Sequence, residues 1–285
     1  MAKTETATDR PKPKRRWFQY SLGTLLVLAT LCAIPCSWLA VKMRQAERQR
    51  EAATAIEKLG GMARWDAKAL GWPAWPRRVL GDDVFNSVDS VYFNMSRLTD
   101  AGLEHVKGLS QLRELNLFET QVTDAGLVHL KELSQLEVLN LTSTKVTGAG
   151  LEHLKRLRKL RWLDMSQNKV TDAGLENLKG MSQLEHFHLG GTQVTDAGLK
   201  HLKGLDQLIV LDLGRTKVTD AGLEHLKGLS QLKVLGLLET QVTDAGLEHL
   251  KGLTHLEVLG LEFTRVTDAG VKKFQRALPR CKIER

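Results

Sequence analysis

Between about residues 88 and 285 the hydrophobic positions return every 24 residues. The phrase Leu112-x-x-Leu115-x-Leu117 recurs as Leu136, Leu139 and Leu141, as Leu160, Leu163 and Met165, and so on to Leu256, Leu259 and Leu261. Alternation in its second half is the two-residue period of a strand, leucines facing in and their neighbours out. A second phrase, a variant of Val-Thr-Asp-Ala-Gly-Leu, occurs eight times, its threonine at Thr99, Thr123, Thr147, Thr171, Thr195, Thr219, Thr243 and Thr267. Leucines at spacing three after it, as in Leu127, Leu130 and Leu133, predict a short helix with one apolar face.

A fixed period in the twenties means a solenoid: one coil cannot hide its leucines alone, and stacked coils share a continuous core. Val88, Val91 and Phe93 lie one period before Leu112, Leu115 and Leu117, and Ile283 one period after Leu259. That predicts about nine parallel strands and, at ~4.8 Å between strands, a sheet roughly 40 Å long.

The phrase Leu-x-x-Leu-x-Leu-x-x-Thr-x-Val-Thr-Asp-Ala-Gly-Leu resembles leucine-rich repeats, and its Thr-Asp-Ala-Gly-Leu half is similar to the subtype of F-box substrate receptors, although no F-box segment accompanies it. The resemblance implies an α/β fold: a right-handed solenoid with a curved parallel sheet and short convex helices. Together with the amino-terminal segment below, the chain is similar to bacterial single-pass membrane proteins carrying such repeats. One fold of this kind serves many partners, so the resemblance implies recognition without naming a partner.

Individual residues have expected duties in each coil. Thr120, Thr144, Thr192, Thr216, Thr240 and Thr264, with Asn168 as the exception, stand where leucine-rich repeats usually carry Asn or Cys, and can bond the backbone of the bend. Asp124 and its equivalents, or the neighbouring threonine, are expected to cap the helix start. Gly108, Gly180, Gly204, Gly228 and Gly252 are expected to end the helix in the left-handed conformation. Gly148 replaces the aspartate of the third phrase, which predicts a weaker start for its own helix.

The amino terminus differs in kind. Trp17 to Val41 are 25 residues without a charge, which as a helix would measure roughly 37 Å against a hydrocarbon core of ~30 Å. With Trp17, Tyr20 and Trp38 near its ends, the segment reads as one transmembrane helix; a cleaved signal peptide is the competing reading, against which stand its length and the poor cleavage sequence Ser37-Trp38-Leu39-Ala40. The expected organisation is a basic cytoplasmic head (1–16), the span (17–41), a helical stalk (42–61), an amino-terminal cap and first strand (62–97), the repeats (98–270) and a carboxyl-terminal cap (271–285). Six Lys or Arg before the span and five in residues 42–58 favour, narrowly, repeats on the extracytoplasmic side. Trp72 and Trp75 belong to the cap, or alternatively dip into the membrane interface.

The net charge of +8 changes little. Residues 1–58 carry 11 basic and 5 acidic side chains, leaving 30 and 28 for the remainder, so the repeats have no cationic field for nucleic acid. Three cysteines, Cys32, Cys36 and Cys281, give neither a disulfide framework nor metal spacing.

Phosphate loops, nucleophile elbows and His-Glu-x-x-His are missing, which points away from an enzyme and from any cofactor. His105, His129, His153, His201, His225 and His249 recur once per coil, with Asn177 interrupting; duplication explains them more simply than a pH-sensing or metal-binding column. The outward strand positions vary instead. One row reads Glu114, Val138, Trp162, His186, Val210, Val234 and Val258; the next reads Asn116, Asn140, Asp164, His188, Asp212, Gly236 and Gly260; Phe118 and Leu238 join the same face. An aromatic anchor among valines with a polar surround is the make-up of a hot spot for a protein or peptide ligand. Gly190, Gly191, Gly214, Gly236 and Gly260 are expected to leave room for a partner's backbone. Two alternatives stay open: a metal-assisted site at His186 and His188 flanked by Asp164 and Asp212, and the substrate-receptor subunit of a ubiquitin-ligase-like assembly that the repeat subtype implies.

Overall fold

The computed structural model describes residues 22–66 and 74–285. The chain divides into two units, residues 1–44 and 45–285. In the second, ten strands form one sheet in chain order: β1 (Met62–Trp65), β2 (Val88–Tyr92), β3 (Glu114–Asn116), β4 (Val138–Asn140), β5 (Trp162–Asp164), β6 (His186–His188), β7 (Val210–Asp212), β8 (Val234–Gly236), β9 (Val258–Gly260) and β10 (Lys282–Glu284). Strands β2 to β10 are parallel, and β1 runs antiparallel beside β2. Val91 pairs with Leu115 and Ile283 with Leu259, the register that the 24-residue period requires. Leu112, Leu115, Leu117 and their equivalents are buried in one continuous core.

Strands β2 to β9 each lead into a turn through a residue in the left-handed region: Met95, Glu119, Ser143, Gln167, Arg215, Glu239 and Phe263 have φ between 52° and 58°, and Gly191 after β6 has 69°. The hydroxyl of the next residue closes the bend, Thr120 Oγ1 donating to Leu117 O at 2.8 Å and Thr144, Thr192, Thr216, Thr240 and Thr264 repeating the bond. Between the strands the chain makes short 3-10 or α-helical segments of three to seven residues, lengthening to ten at Asp268–Ala277. Of the glycines expected to end these turns in the left-handed region, only Gly180 and Gly204 do so, with φ of 93° and 95°.

Threonine, rather than aspartate, caps the convex turns: Thr147, Thr195, Thr219 and Thr243 accept from the backbone N–H two residues on. The aspartate reaches forward to the next coil. Asp100 accepts from the Thr123 backbone N–H at 2.7 Å and from its hydroxyl at 2.6 Å, and Asp124, Asp172, Asp196, Asp220 and Asp244 do the same for Thr147, Thr195, Thr219, Thr243 and Thr267. Gly148 therefore does not deprive its own turn of a cap, since Thr147 still supplies one. Its effect falls one coil later, where Thr171 makes no capping bond through its side chain.

Helix α1 (Leu22–Lys58) contributes to the second unit from Gln45 onward. There Ala46, Gln49, Ala53 and Ile56, spaced three, four and three apart, are buried, and Glu47, Arg48, Arg50, Glu51 and Glu57 are exposed. Ala53 and Ile56 join the core of the coils, and Gln49 Oε1 accepts from the Val88 backbone N–H at 2.8 Å. This part of the stretch read as a stalk covers the apolar end of the array, a job every solenoid must fill. At the other end, Phe274, Leu278 and Cys281 are buried and join the same core. Helix α2 (Ala74–Leu80) carries Trp75, which is 73% exposed; Trp72 lies outside the described residues.

The expected membrane span is corrected. Among the described residues no helix is long and apolar enough to cross a membrane. With that, the transmembrane part of the expected fold class, the bilayer as partner and the single-pass localisation fall. The uncharged stretch from Trp17 to Val41 is interrupted by Gln19, Ser21, Thr24, Thr30 and Ser37 and by Gly23 and Pro35. Residues 17–21 lie outside the described residues.

Candidate protein-interaction surface

The alternating residues of the nine parallel strands form rows across the sheet. Glu114, Val138, Trp162, His186, Val210, Val234 and Val258 are consecutive register partners, and Asn116, Asn140, Asp164, His188 and Asp212 form the row beside them. All are half-buried, as are Phe118 and Leu238 in the third row. The sequence-derived residues thus share one face, but they do not form one pocket.

Glu114, Asn116, Val138, Asn140 and Trp162 line a cleft of about 340 Å³ floored by Leu115. The Trp162 indole forms its wall toward the middle of the sheet and lies against the His188 ring, with centroids 5.4 Å apart and planes tilted by 46°. Burial lowers the His186 imidazole below its usual range, outweighing the Glu185 carboxylate that raises it. At the cleft's other end are residues the sequence reading missed. The Tyr92 hydroxyl donates to Glu114 Oε2 at 2.8 Å, and the Arg64 guanidinium stands 3.7 Å from the same carboxylate and 6.0 Å from the centre of the Tyr92 ring. The only signal for Tyr92 was its position one period before Asn116; nothing in the repeats announces Arg64, because it arrives on the antiparallel β1.

The second row has a local backbone duty. Oxygens of Asn116, Asn140, Asp164 and Asp212 each accept from the backbone N–H two residues on, at 2.8 to 2.9 Å, turning the chain out of its strand. Asp164 and Asp212 stand on either side of His188 in register, as the sequence order requires. Among the described residues no three His, Cys, Asp or Glu side chains gather so as to hold a metal ion, which removes the geometric basis for a metal-assisted site here.

Two of the glycines expected to admit a partner's backbone have another purpose. A Cβ on Gly190 would lie 2.8 Å from Asp212 Oδ2, and one on Gly236 would lie 2.6 Å from its Oδ1. They form a shallow dish that the Asp212 carboxylate occupies, with Gly214 as its third wall. Gly191, at φ 69°, takes the left-handed turn position and makes room for the Gln167 side chain.

Residues 134–194 match the Leucine rich repeat family, and residues 109–131 match a second Leucine Rich repeat description. These segments are leucine-rich repeats. No curated protein matches the sequence. Among solved structures, the chain is similar to internalin C2 of Listeria monocytogenes, with 24% identity over 69% of this chain and 80% of that one and a TM-score of 0.54. It is also similar to a leucine-rich-repeat protein of Leptospira interrogans, at 22% identity and a TM-score of 0.51, covering 64% of this chain and 45% of that one. At such identities the likeness is one of fold.

Proposed function

We propose that this leucine-rich-repeat chain is a recognition protein, without enzymatic activity, that binds a protein or peptide on the face of its parallel sheet. The reading rests on one observation above others: Trp162, in a sheet row otherwise occupied largely by valines, walls an apolar cleft that no side chain of the described residues fills. Tryptophan in such a setting is the residue type that dominates binding energies at interfaces. Val138, Val210, Val234 and Val258 extend the apolar strip, while Asn116, Asn140, Asp164 and Asp212 border it.

The test is site-specific cross-linking with the full chain. A photoreactive side chain at position 162 is compared with one at the exposed convex residue Glu152 in the presence of the proteins of the source cell. Defined protein adducts formed at 162 and absent at 152 support the reading. Equal labelling at both positions, or adducts at 152 alone, moves the interaction away from this face.

A further inference from the structure

The second row contains a charge that its structural duty does not need. Asn116 and Asn140 turn the chain out of β3 and β4 through the same side chain-to-backbone bond that Asp164 and Asp212 make after β5 and β7, and at the same length. Asparagine therefore suffices for the turn, and the negative charges at 164 and 212 are surplus to it. Among the described residues they also lack cations. Glu137, Glu185, Glu239 and Glu257 each have a basic partner in the neighbouring coil, whereas no described Lys or Arg stands within ion-pair distance of Asp164 or Asp212. Asp212 is the more open of the two to a ligand from above, since its surroundings, Gly190, Gly214 and Gly236, carry no side chains.

The Trp162 wall of the apolar cleft and this carboxylate lie on one face, two strands apart. Two strand spacings of ~4.8 Å, with an offset of two residues along the strand, separate Trp162 from Asp212 by roughly 12 Å, which three to four extended residues span. Charge complementarity on such a face sets which partner is accepted as well as how fast it arrives.

We propose that the occupant of this face is an extended peptide segment with an apolar or aromatic side chain in the Val138–Trp162 cleft and, three to four residues away, a lysine or arginine on Asp212. Asp164 adds a second negative charge along the path. This inference rests on the sheet-face reading and specifies its ligand.

The probe is a phage-displayed library of random twelve-residue peptides, selected on the full chain at neutral pH and low salt. Enrichment of a motif with an apolar or aromatic residue and a Lys or Arg three to four positions apart is the expected result. For an enriched peptide, Asp212→Asn, which keeps the turn as Asn116 and Asn140 do, weakens binding by about tenfold, the size of a lost charge-assisted hydrogen bond. Replacing the peptide's cation by alanine gives the same loss, and the two losses do not add. Asp206→Asn, on the convex side, changes nothing. Enriched peptides without a cation, or binding indifferent to Asp212→Asn, overturn the inference; if that binding still falls with Trp162→Ala, the sheet-face reading stands, and if it does not, both fail. A library that enriches nothing also overturns the inference, leaving the cross-linking to decide the broader reading.

Discussion

A Cβ built on Gly148 would fall 2.2 Å from the Cα of Gly174, so the two backbones meet with no space for a side chain between them. At the other junctions the equivalent glycine faces an aspartate: Gly126 meets Asp100, Gly150 meets Asp124, Gly198 meets Asp172, Gly222 meets Asp196 and Gly246 meets Asp220. Other residues follow suit at this one junction. Asn177, where other coils have histidine, donates to Gly148 O at 3.2 Å, and Asn168, where others have threonine, donates to Leu141 O at 2.7 Å in the coil before.

Gly148→Asp, which would make the third phrase like the others, is therefore expected to destabilise. Backbone occupies the place of the new side chain, and such overpacking costs about 1–3 kcal/mol. Thermal unfolding of the full chain measures it. A melting temperature at or above that of the parent would show that the coils can part and accept the ladder.

Within the ladder the opposite holds. Asp196→Ala removes the acceptor for both the backbone N–H and the hydroxyl of Thr219. A loss of about 1–3 kcal/mol is expected, read from urea midpoints, with faster amide exchange at Thr219 rather than at Thr195. Loss of protection confined to Thr195 would place the aspartate's grip on the wrong coil.

The final rung gives a pH dependence. The Thr267 hydroxyl, and then its backbone N–H, hold the Asp244 carboxyl below its usual range. With the folded value depressed, the stabilisation is present above the unfolded value and is lost as the pH falls through the folded one. Parent and Asp244→Asn proteins are expected to differ in urea midpoint at pH 7 and to converge in acid below the usual carboxylate range. A difference that is independent of pH would mean that the ionised form is not what Thr267 prefers.

Burial pushes the Cys281 thiol up to about 11. At pH 8 only about one in a thousand of these thiols is thiolate, the form that reacts. In the folded protein iodoacetamide is expected to modify exposed Cys36 and to spare Cys281 until urea is added, as mass spectrometry of the peptides would report. Equal labelling without urea would show the carboxyl-terminal end opening in the native state.

What was legible in the sequence was what the period carries. The leucines, the strand register from Val91 to Ile283 and the outward rows all follow from alternation repeated every 24 residues. Contacts between coils were harder to read. Asp124 sits beside a threonine in sequence, so a local cap is the natural reading, while its actual partner Thr147 is 23 residues on. Glycines beside the Trp162 patch read as space for a visitor, yet Gly190 and Gly236 accommodate Asp212. The covering helix was missed because its buried stripe, Ala46, Gln49, Ala53 and Ile56, contains only one large apolar residue. Its neighbour upstream was read as a span from the length of a run without charges and the aromatic residues near its ends.

Since every aspartate of the ladder holds the turn that follows it, no coil is finished by its own sequence; each is completed by its predecessor. Inserting or excising a whole 24-residue unit on either side gives the new neighbours the same grip. The join at Gly148 and Gly174 alone fits only its own mate, so the array can grow or shrink in two separate lengths but cannot be cut and respliced there.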